Sequence, residues 1–141
     1  MKIDSIVNGI VIDHIPAGKV MEVYDALELD KLNCSIAILK NVKSQKMGSK
    51  DILKIDHEID INLDVLGYID PSITVSFIKD QKTQKKMHLN LPRMIINIEK
   101  CKNPRCITSK EHHLDQKFYL ANASKRIYRC YYCDSRIEKT K

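Results

Sequence analysis

An α+β fold followed by a small cysteine-rich domain is what this 141-residue sequence predicts, and three observations carry the prediction. Short runs of apolar residues alternate with polar ones, one intervening segment has helical periodicity, and four of the five cysteines crowd into the last third in two close pairs. At 43% hydrophobic and 30% charged, the chain has a globular composition, with room for one ordinary domain or two small ones. No stretch approaches the about 20 apolar residues of a membrane span. The opening MKIDSIVNGIVID carries Asp4 and Asp13 where a secretory leader would be basic and then apolar, so a cytoplasmic protein is expected.

Taken in order, Ile3 to Ile12 is β-branched and reads as a first strand, with Gly9 as a bend or bulge and Asp13, His14 and Pro16 closing it. Val20, Val23, Tyr24 and Leu27 then follow the i, i+3, i+4, i+7 spacing of a helix that covers one face of a sheet. NCSIAILKNV and KDILKID alternate like strands and flank the turn-like SQKMGS, which makes a hairpin. EIDINLDVLGYID fits both periods: Ile59, Ile61, Leu63 and Val65 alternate, while Ile61, Val65 and Leu66 form a helical stripe that Asp60 would N-cap. After Pro71, ITVSFIK and KKMHLNL read as a strand pair around the loop DQKTQ. This order suggests a ferredoxin-like sandwich with one extra strand. Pro92 marks the transition, and the division is placed at 1–94 and 95–141.

The second domain is too poor in apolar residues to hold a core unaided. Cys101 and Cys106 in CKNPRC and Cys130 and Cys133 in CYYC are separated by 23 residues, enough for a looped β-hairpin that unites them. Four thiolates at such spacing suit one tetrahedral Zn²⁺, and because they fill its coordination the site is structural. Fe²⁺ would accept the same donors. His112 and His113 are then surface residues, and Cys34 reads as a buried strand cysteine. Zinc bound by four thiolates lowers the formal charge from +6 to +4, which weakens the case for nucleic acid that a basic chain invites.

Nothing in the sequence supports catalysis: glycine-rich phosphate loops, GxSxG and HExxH are all missing. Asp13 and His14 are adjacent, and strand neighbours point to opposite faces, so on spacing alone they read as polar residues of a turn. Lys50, Lys54, Lys79, Lys82, Lys85 and Lys86 give two strand pairs a basic character that suits either a solvated face or a triphosphate.

At VIDHIPAG, MGSKDILKI, CKNPRC and CYYC the sequence resembles the regulatory chains of aspartate carbamoyltransferase, in order and over nearly the whole chain. The resemblance implies a non-catalytic subunit of pyrimidine biosynthesis. Its N-terminal allosteric domain would have five antiparallel strands and two helices, with EIDINLDVLGYI as the second helix, and its C-terminal zinc domain would contact the catalytic chains. Regulatory dimers would bridge two catalytic trimers, three dimers to each pair, under the control of CTP, UTP or ATP. By the same resemblance Ile6 offers backbone groups to the base, Asp13 and Lys54 contact ribose and base, and His14 and Lys86 meet the phosphates. Ile3, Asp4, Ile52 and Ile78 line the rest of the pocket. The chain departs from the family pattern at Ser76, in place of an asparagine, and in DQKTQKK, where Gln81 and Thr83 replace a tyrosine-containing stretch. The alternative is a zinc-ribbon nucleic-acid binder, with Lys102, Arg105, Arg126 and Arg129 on a backbone and Tyr128, Tyr131 and Tyr132 stacking on bases.

Overall fold

Strands that alternate a buried aliphatic with a half-exposed residue can pair into a sheet with one face against helices and the other open. The computed structural model, which describes residues 6–137, contains such a sheet in the first of two units that divide between Asn90 and Leu91. Its strands are β1 (Gly9–Pro16), β2 (Ile36–Ser44), β3 (Gly48–Ile55), β4 (Thr74–Lys79) and β5 (Lys82–His88). Their order is β2-β3-β1-β4-β5, and every neighbouring pair is antiparallel. Helices α1 (Val20–Ala26) and α2 (Leu63–Ile69) sit between β1 and β2 and between β3 and β4, which is the predicted ferredoxin-like α+β arrangement with β5 added at one edge. Ile10, Ile12, Leu53, Ile55 and Val75 of the strands and Val20, Val23, Val65 and Leu66 of the helices form the core.

The ambiguous segment is a helix because Asn62 caps it: its side-chain oxygen accepts from the N–H groups of Asp64 (3.1 Å) and Val65 (3.3 Å). Asp60, the expected cap, lies two residues too early. The first strand also begins later than expected, at Gly9, and runs through Asp13, His14 and Pro16 instead of ending at them. Gly9 is no bulge; a Cβ there would lie 2.1 Å from the Ile55 carbonyl oxygen, so the glycine permits close backbone approach. The bulge falls instead between Ile12 and Ile15. Lys82 and Thr83 of β5 pair with Lys79 and Ile78, Gln84 is the extra residue of a register shift, and the turn before them shrinks to Asp80 and Gln81, both left-handed (φ 53° and 66°) as a two-residue hairpin requires. Cys34 is half-buried and precedes β2, so it is not a strand residue.

Asp51 is fully buried on β3, and its carboxylate accepts three backbone N–H groups: from Gly18 (2.9 Å), Val20 (3.2 Å) and Asn41 (2.8 Å). The first two belong to the entry of α1, where no side chain of the helix's own caps the free N–H groups. The third steadies a second bulge, between Leu39 and Val42, where Asn41 is left-handed (φ 59°). Replacing Asp51 by alanine orphans three donors at about 1–3 kcal/mol each. Asp51→Ala is therefore expected to lower the stability of the first unit by about 3 kcal/mol or more in urea denaturation, and a loss under about 1 kcal/mol would remove this role.

The second unit is a small all-β domain. Strands β6 (Met94–Ile96), β7 (Lys117–Asn122) and β8 (Ile127–Cys130) form an antiparallel sheet in that order. Ile95, Phe118 and Cys130 lie in register across it and are all buried, and the Tyr128 hydroxyl donates to the Pro92 carbonyl at 2.6 Å. Among the described residues no helix is long and apolar enough to cross a membrane.

Candidate functional site

The two cysteine pairs are brought together by the β7–β8 hairpin, which ends at Cys130, and by the turns around Cys101–Cys106 and Cys130–Cys133. Their four sulfurs lie within 4.8 Å of one another, with Cys101–Cys133 at 3.6 Å and Cys106–Cys130 at 3.7 Å. A disulfide needs about 2.05 Å, whereas a tetrahedron with 2.3 Å arms has edges of about 3.8 Å. The spacing therefore fits one four-coordinate metal ion, and the all-thiolate donor set fits zinc.

Polar neighbours are aimed at the sulfurs. Thr108 Oγ1 donates to Cys106 at 3.1 Å, Ser135 Oγ is 3.2 Å from the Cys133 sulfur, and Asn103 Nδ2 donates to Ser135 Oγ at 3.2 Å. Burial, reinforced by the Cys133 and Cys130 sulfurs and opposed by the Asn103 N–H, pushes the Cys101 thiol up to about 12. Burial also acts to raise Cys133, but hydrogen bonds from Ser135, Asn103 and Cys101 outweigh it and hold that thiol at about 6. Such outer partners orient the ligands and stabilise their ionised form. His112 and His113 are exposed, as expected.

In the first unit, register decides which predicted residues meet. Residues directly opposite in antiparallel strands share a face. Lys54 is opposite Val11, Val11 opposite Ser76, and Ser76 opposite Lys86, so these four make one row across β3, β1, β4 and β5 on the open face. Three strand spacings of about 4.8 Å separate the two lysines by roughly 14 Å. Ile52 and Ile78, two residues from Lys54 and Ser76 on their strands, share that face. Ile6 is buried beside Gly9, and the following Val7 carbonyl accepts from Gln81 N–H at 2.9 Å. Ile3 and Asp4 lie outside the described residues. Ser76 sits within the row, while Gln81 and Thr83 are exposed.

The β1 bulge overturns the argument that Asp13 and His14 must diverge. His14 is left-handed (φ 57°), and its ring Nδ1 lies 2.9 Å from Thr74 Oγ1, the residue paired with Asp13. Asp13 accepts from its neighbour's N–H at 2.5 Å and pairs with Lys50 at 2.9 Å. Burial acts to raise the Asp13 carboxyl, but Lys50 and the His14 N–H hold it below the usual carboxylate value. His14 is lowered by burial first and by Lys50, Lys46 and Lys86, against the pull of Asp13. The result is a compact cluster of Asp13, His14, Lys50 and Thr74 with cationic neighbours. Thr74 was not singled out from the sequence, whereas Lys50 was among the lysines that suit either a solvated face or a triphosphate, and the alternation Lys50, Ile52, Lys54 places it on the Lys54 face.

A concavity of about 460 Å³ in the first unit lies elsewhere, among Val7, Asn8, Asp56, His57, Glu58, Lys79 and Asp80. Its three carboxylates would repel a phosphate chain. A neighbouring cleft of about 290 Å³ includes Gly9, Ile59, Phe77 and Ile78.

A metal-stabilised domain joined to a separate α+β domain defines the class of chain, and comparison with known proteins gives the family. Residues 1–90 match the model of the aspartate carbamoyltransferase regulatory chain, allosteric domain, and residues 93–141 that of the same chain's metal-binding domain. Aspartate carbamoyltransferase regulatory chains from Clostridium botulinum and Clostridium tetani are 46% and 47% identical over 134 and 135 residues, 95% of this chain and 92% and 94% of theirs. One from Bifidobacterium longum is 42% identical over 134 residues, 95% of this chain and 96% of its own. The chain belongs to the family of aspartate carbamoyltransferase regulatory chains, and it is a non-catalytic, regulatory subunit with an allosteric and a metal-binding domain.

Because a four-thiolate site supplies folding energy of about 10–16 kcal/mol in small zinc domains, metal and fold of the second unit are expected to be lost together. A strong chelator should release one zinc per chain and abolish the near-ultraviolet circular dichroism of the second unit's tyrosines, while the denaturation of the first unit stays unchanged. Cobalt substituted at the site should give the absorption of a tetrahedral thiolate complex; an octahedral spectrum would contradict closed four-sulfur coordination.

Proposed function

We propose that this chain senses nucleoside triphosphates on the open face of its first-unit sheet and passes their effect to the catalytic chains of aspartate carbamoyltransferase through its zinc domain. The observation that carries the reading is the row Lys54–Val11–Ser76–Lys86, with the Asp13–His14–Lys50–Thr74 cluster beside it. Lysine ammoniums suit phosphates as point charges, a carboxylate suits ribose hydroxyls, and backbone groups near Ile6 can separate an amino from a keto edge of a base. A row of roughly 14 Å matches the reach of a nucleotide with an extended phosphate chain.

In this proposal Asp13 and Lys54 hold ribose and base, His14 and Lys86 hold the phosphates, and Ile3, Asp4, Ile6, Ile52 and Ile78 complete the pocket. CTP, UTP and ATP are the effectors. Two copies of the chain pair, and three such dimers bridge two catalytic trimers in the cytoplasm. Family membership and the domain pair support the assembly. A bound nucleotide can act only through its different affinity for two quaternary states.

Removing one charge-assisted phosphate contact is expected to weaken CTP about 10-fold, so Lys86→Ala should show that loss by calorimetry with assembly unchanged. Unaltered CTP affinity would remove the phosphate assignment. The lowered His14 adds a pH signature. Free His14 is mostly neutral near pH 7, and a phosphate beside it favours the charged form. Binding should therefore take up a proton and strengthen as pH falls from above the bound pKa towards the free one. Calorimetry in buffers of different ionisation heat measures the uptake, and His14→Gln should abolish it.

A further inference from the structure

The cationic end of the first unit's open sheet face reaches beyond His14 and Lys86. Pro16, the last residue of β1, is opposite Lys50, so the start of β3 and the hairpin turn before it run on past the end of β1. That turn is well defined: Ser44 pairs with Gly48, the Met47 N–H donates to Ser44 Oγ at 3.1 Å, and Gly48 is left-handed (φ 79°), as a short hairpin closed by glycine requires. Lys46 is exposed within it. Lys46 comes near enough to the His14 ring for its charge, with those of Lys50 and Lys86, to oppose protonation there. Three lysines from the β2–β3 and β4–β5 hairpins therefore surround one imidazole. Lys50 holds Asp13 at 2.9 Å, but among the described residues Lys46 and Lys86 enter no ion pair. Lys43, on the same hairpin, shows the ordinary fate of an exposed lysine: it is opposite Ser49, on the helix side of β2, and takes no part in the cluster.

We propose that Lys46 is the ligand of the terminal phosphate and makes the site select nucleoside triphosphates over the mono- and diphosphates of the same nucleoside. The inference rests on the nucleotide reading above and names the residue that sets phosphate number. Charge and direction carry it. In that reading Lys86 and His14 meet the phosphates, yet Lys50 beside them is already neutralised by Asp13, and His14 is mostly neutral near pH 7. One lysine then faces a chain whose terminal phosphate alone carries a charge of about −1.5 to −2. A second unpaired cation at the same end of the sheet supplies what is missing. Direction follows from register. Lys54 and Lys86 share one row, Asp13 lies in the next row with Thr74 and His88, and Lys50 and the turn lie beyond that. A nucleotide with its base at Lys54 and its ribose at Asp13 therefore extends its phosphates towards the turn, and the last of them arrives at Lys46. An ammonium on a flexible stem suits such an end group, because it binds phosphate as a point charge without a fixed geometry.

The test uses the full chain, zinc-loaded, titrated calorimetrically with CTP, CDP and CMP and, in parallel, with the adenosine series. Lys46→Gln is expected to weaken the triphosphate about 5-fold or more and to leave the monophosphate within about 2-fold, while Lys46→Arg keeps the discrimination. Lys43→Gln removes an equal charge from the same hairpin and should leave every affinity unchanged. Phosphorus NMR reads the contact itself: the γ-phosphate resonance should shift on binding to wild type and lose that shift with Lys46→Gln, while the α-phosphate resonance keeps its own. Unchanged triphosphate affinity in Lys46→Gln overturns the proposal and leaves the nucleotide reading standing. So does a loss shared equally by the monophosphate, or an equal loss in Lys43→Gln, since either would make the effect one of fold or of general charge. A wild-type chain that binds none of these nucleotides overturns the nucleotide reading itself.

Discussion

The geometry of the first unit depends on one buried carboxylate. Asp51 lies where two bulges flank β3, one in β1 between Ile12 and Ile15 and one in β2 between Leu39 and Val42. Each bulge forces a non-glycine residue, His14 or Asn41, into the left-handed region. That costs roughly 1–2 kcal/mol per residue, and bulges also bend the strand and change where side chains point. The Asn41 N–H bond to Asp51 offsets strain at the β2 bulge, the Gly18 and Val20 bonds tie the start of α1 to the same carboxylate, and Asp51 itself pairs with Ile15 at the edge of the β1 bulge. Because Asp51 points into the core, its neighbours Lys50 and Ile52 point to the open face, so the residue that fixes the fold also sets the direction of the site.

The second unit depends on a different constraint. Its buried set is small, and its cysteines stand where a larger domain would keep aliphatics. Thr108, Ser135 and Asn103 place hydrogen-bond partners around the sulfurs, and Gln116 receives the Cys101 N–H at 3.0 Å. The outer hydrogen bonds limit how far the ligands can move, and the metal converts that preorganisation into stability.

The sequence showed these two constraints unequally. Four cysteines in two close pairs announce a metal site because few other uses of thiols need that spacing, and the metal centre was fully legible. Its outer partners were not, since single serines, threonines and asparagines occur in every loop. The alternating strands and α1 were readable from period alone, but Ile59–Leu66 satisfied two periods at once, and the deciding Asn62 cap is a local bond that hydrophobic pattern does not encode. Asp13 and His14 were misjudged because strict alternation assumes an unbroken strand. One extra residue in β1 cancels that assumption, and nothing in GIVIDHIP signals the bulge without the partner strand.

If the proposed route of control is right, the metal has a role beyond folding. Allosteric coupling between sites amounts to about 1–3 kcal/mol. A domain only marginally stable would dissipate such a difference by opening locally instead of transmitting it to its partner. Metal binding worth about 10–16 kcal/mol places the second unit far from that regime, so it can serve as a stiff attachment while the effector energy acts on the quaternary equilibrium. Under that proposal the bulged, lysine-lined sheet would supply differential binding, and the metal domain would hold one end of the chain fixed on the enzyme. Weakening the outer hydrogen bonds, for instance at Ser135 or Asn103, should then reduce coupling before it reduces assembly, because transmission fails once local opening competes with 1–3 kcal/mol whereas docking tolerates a larger loss.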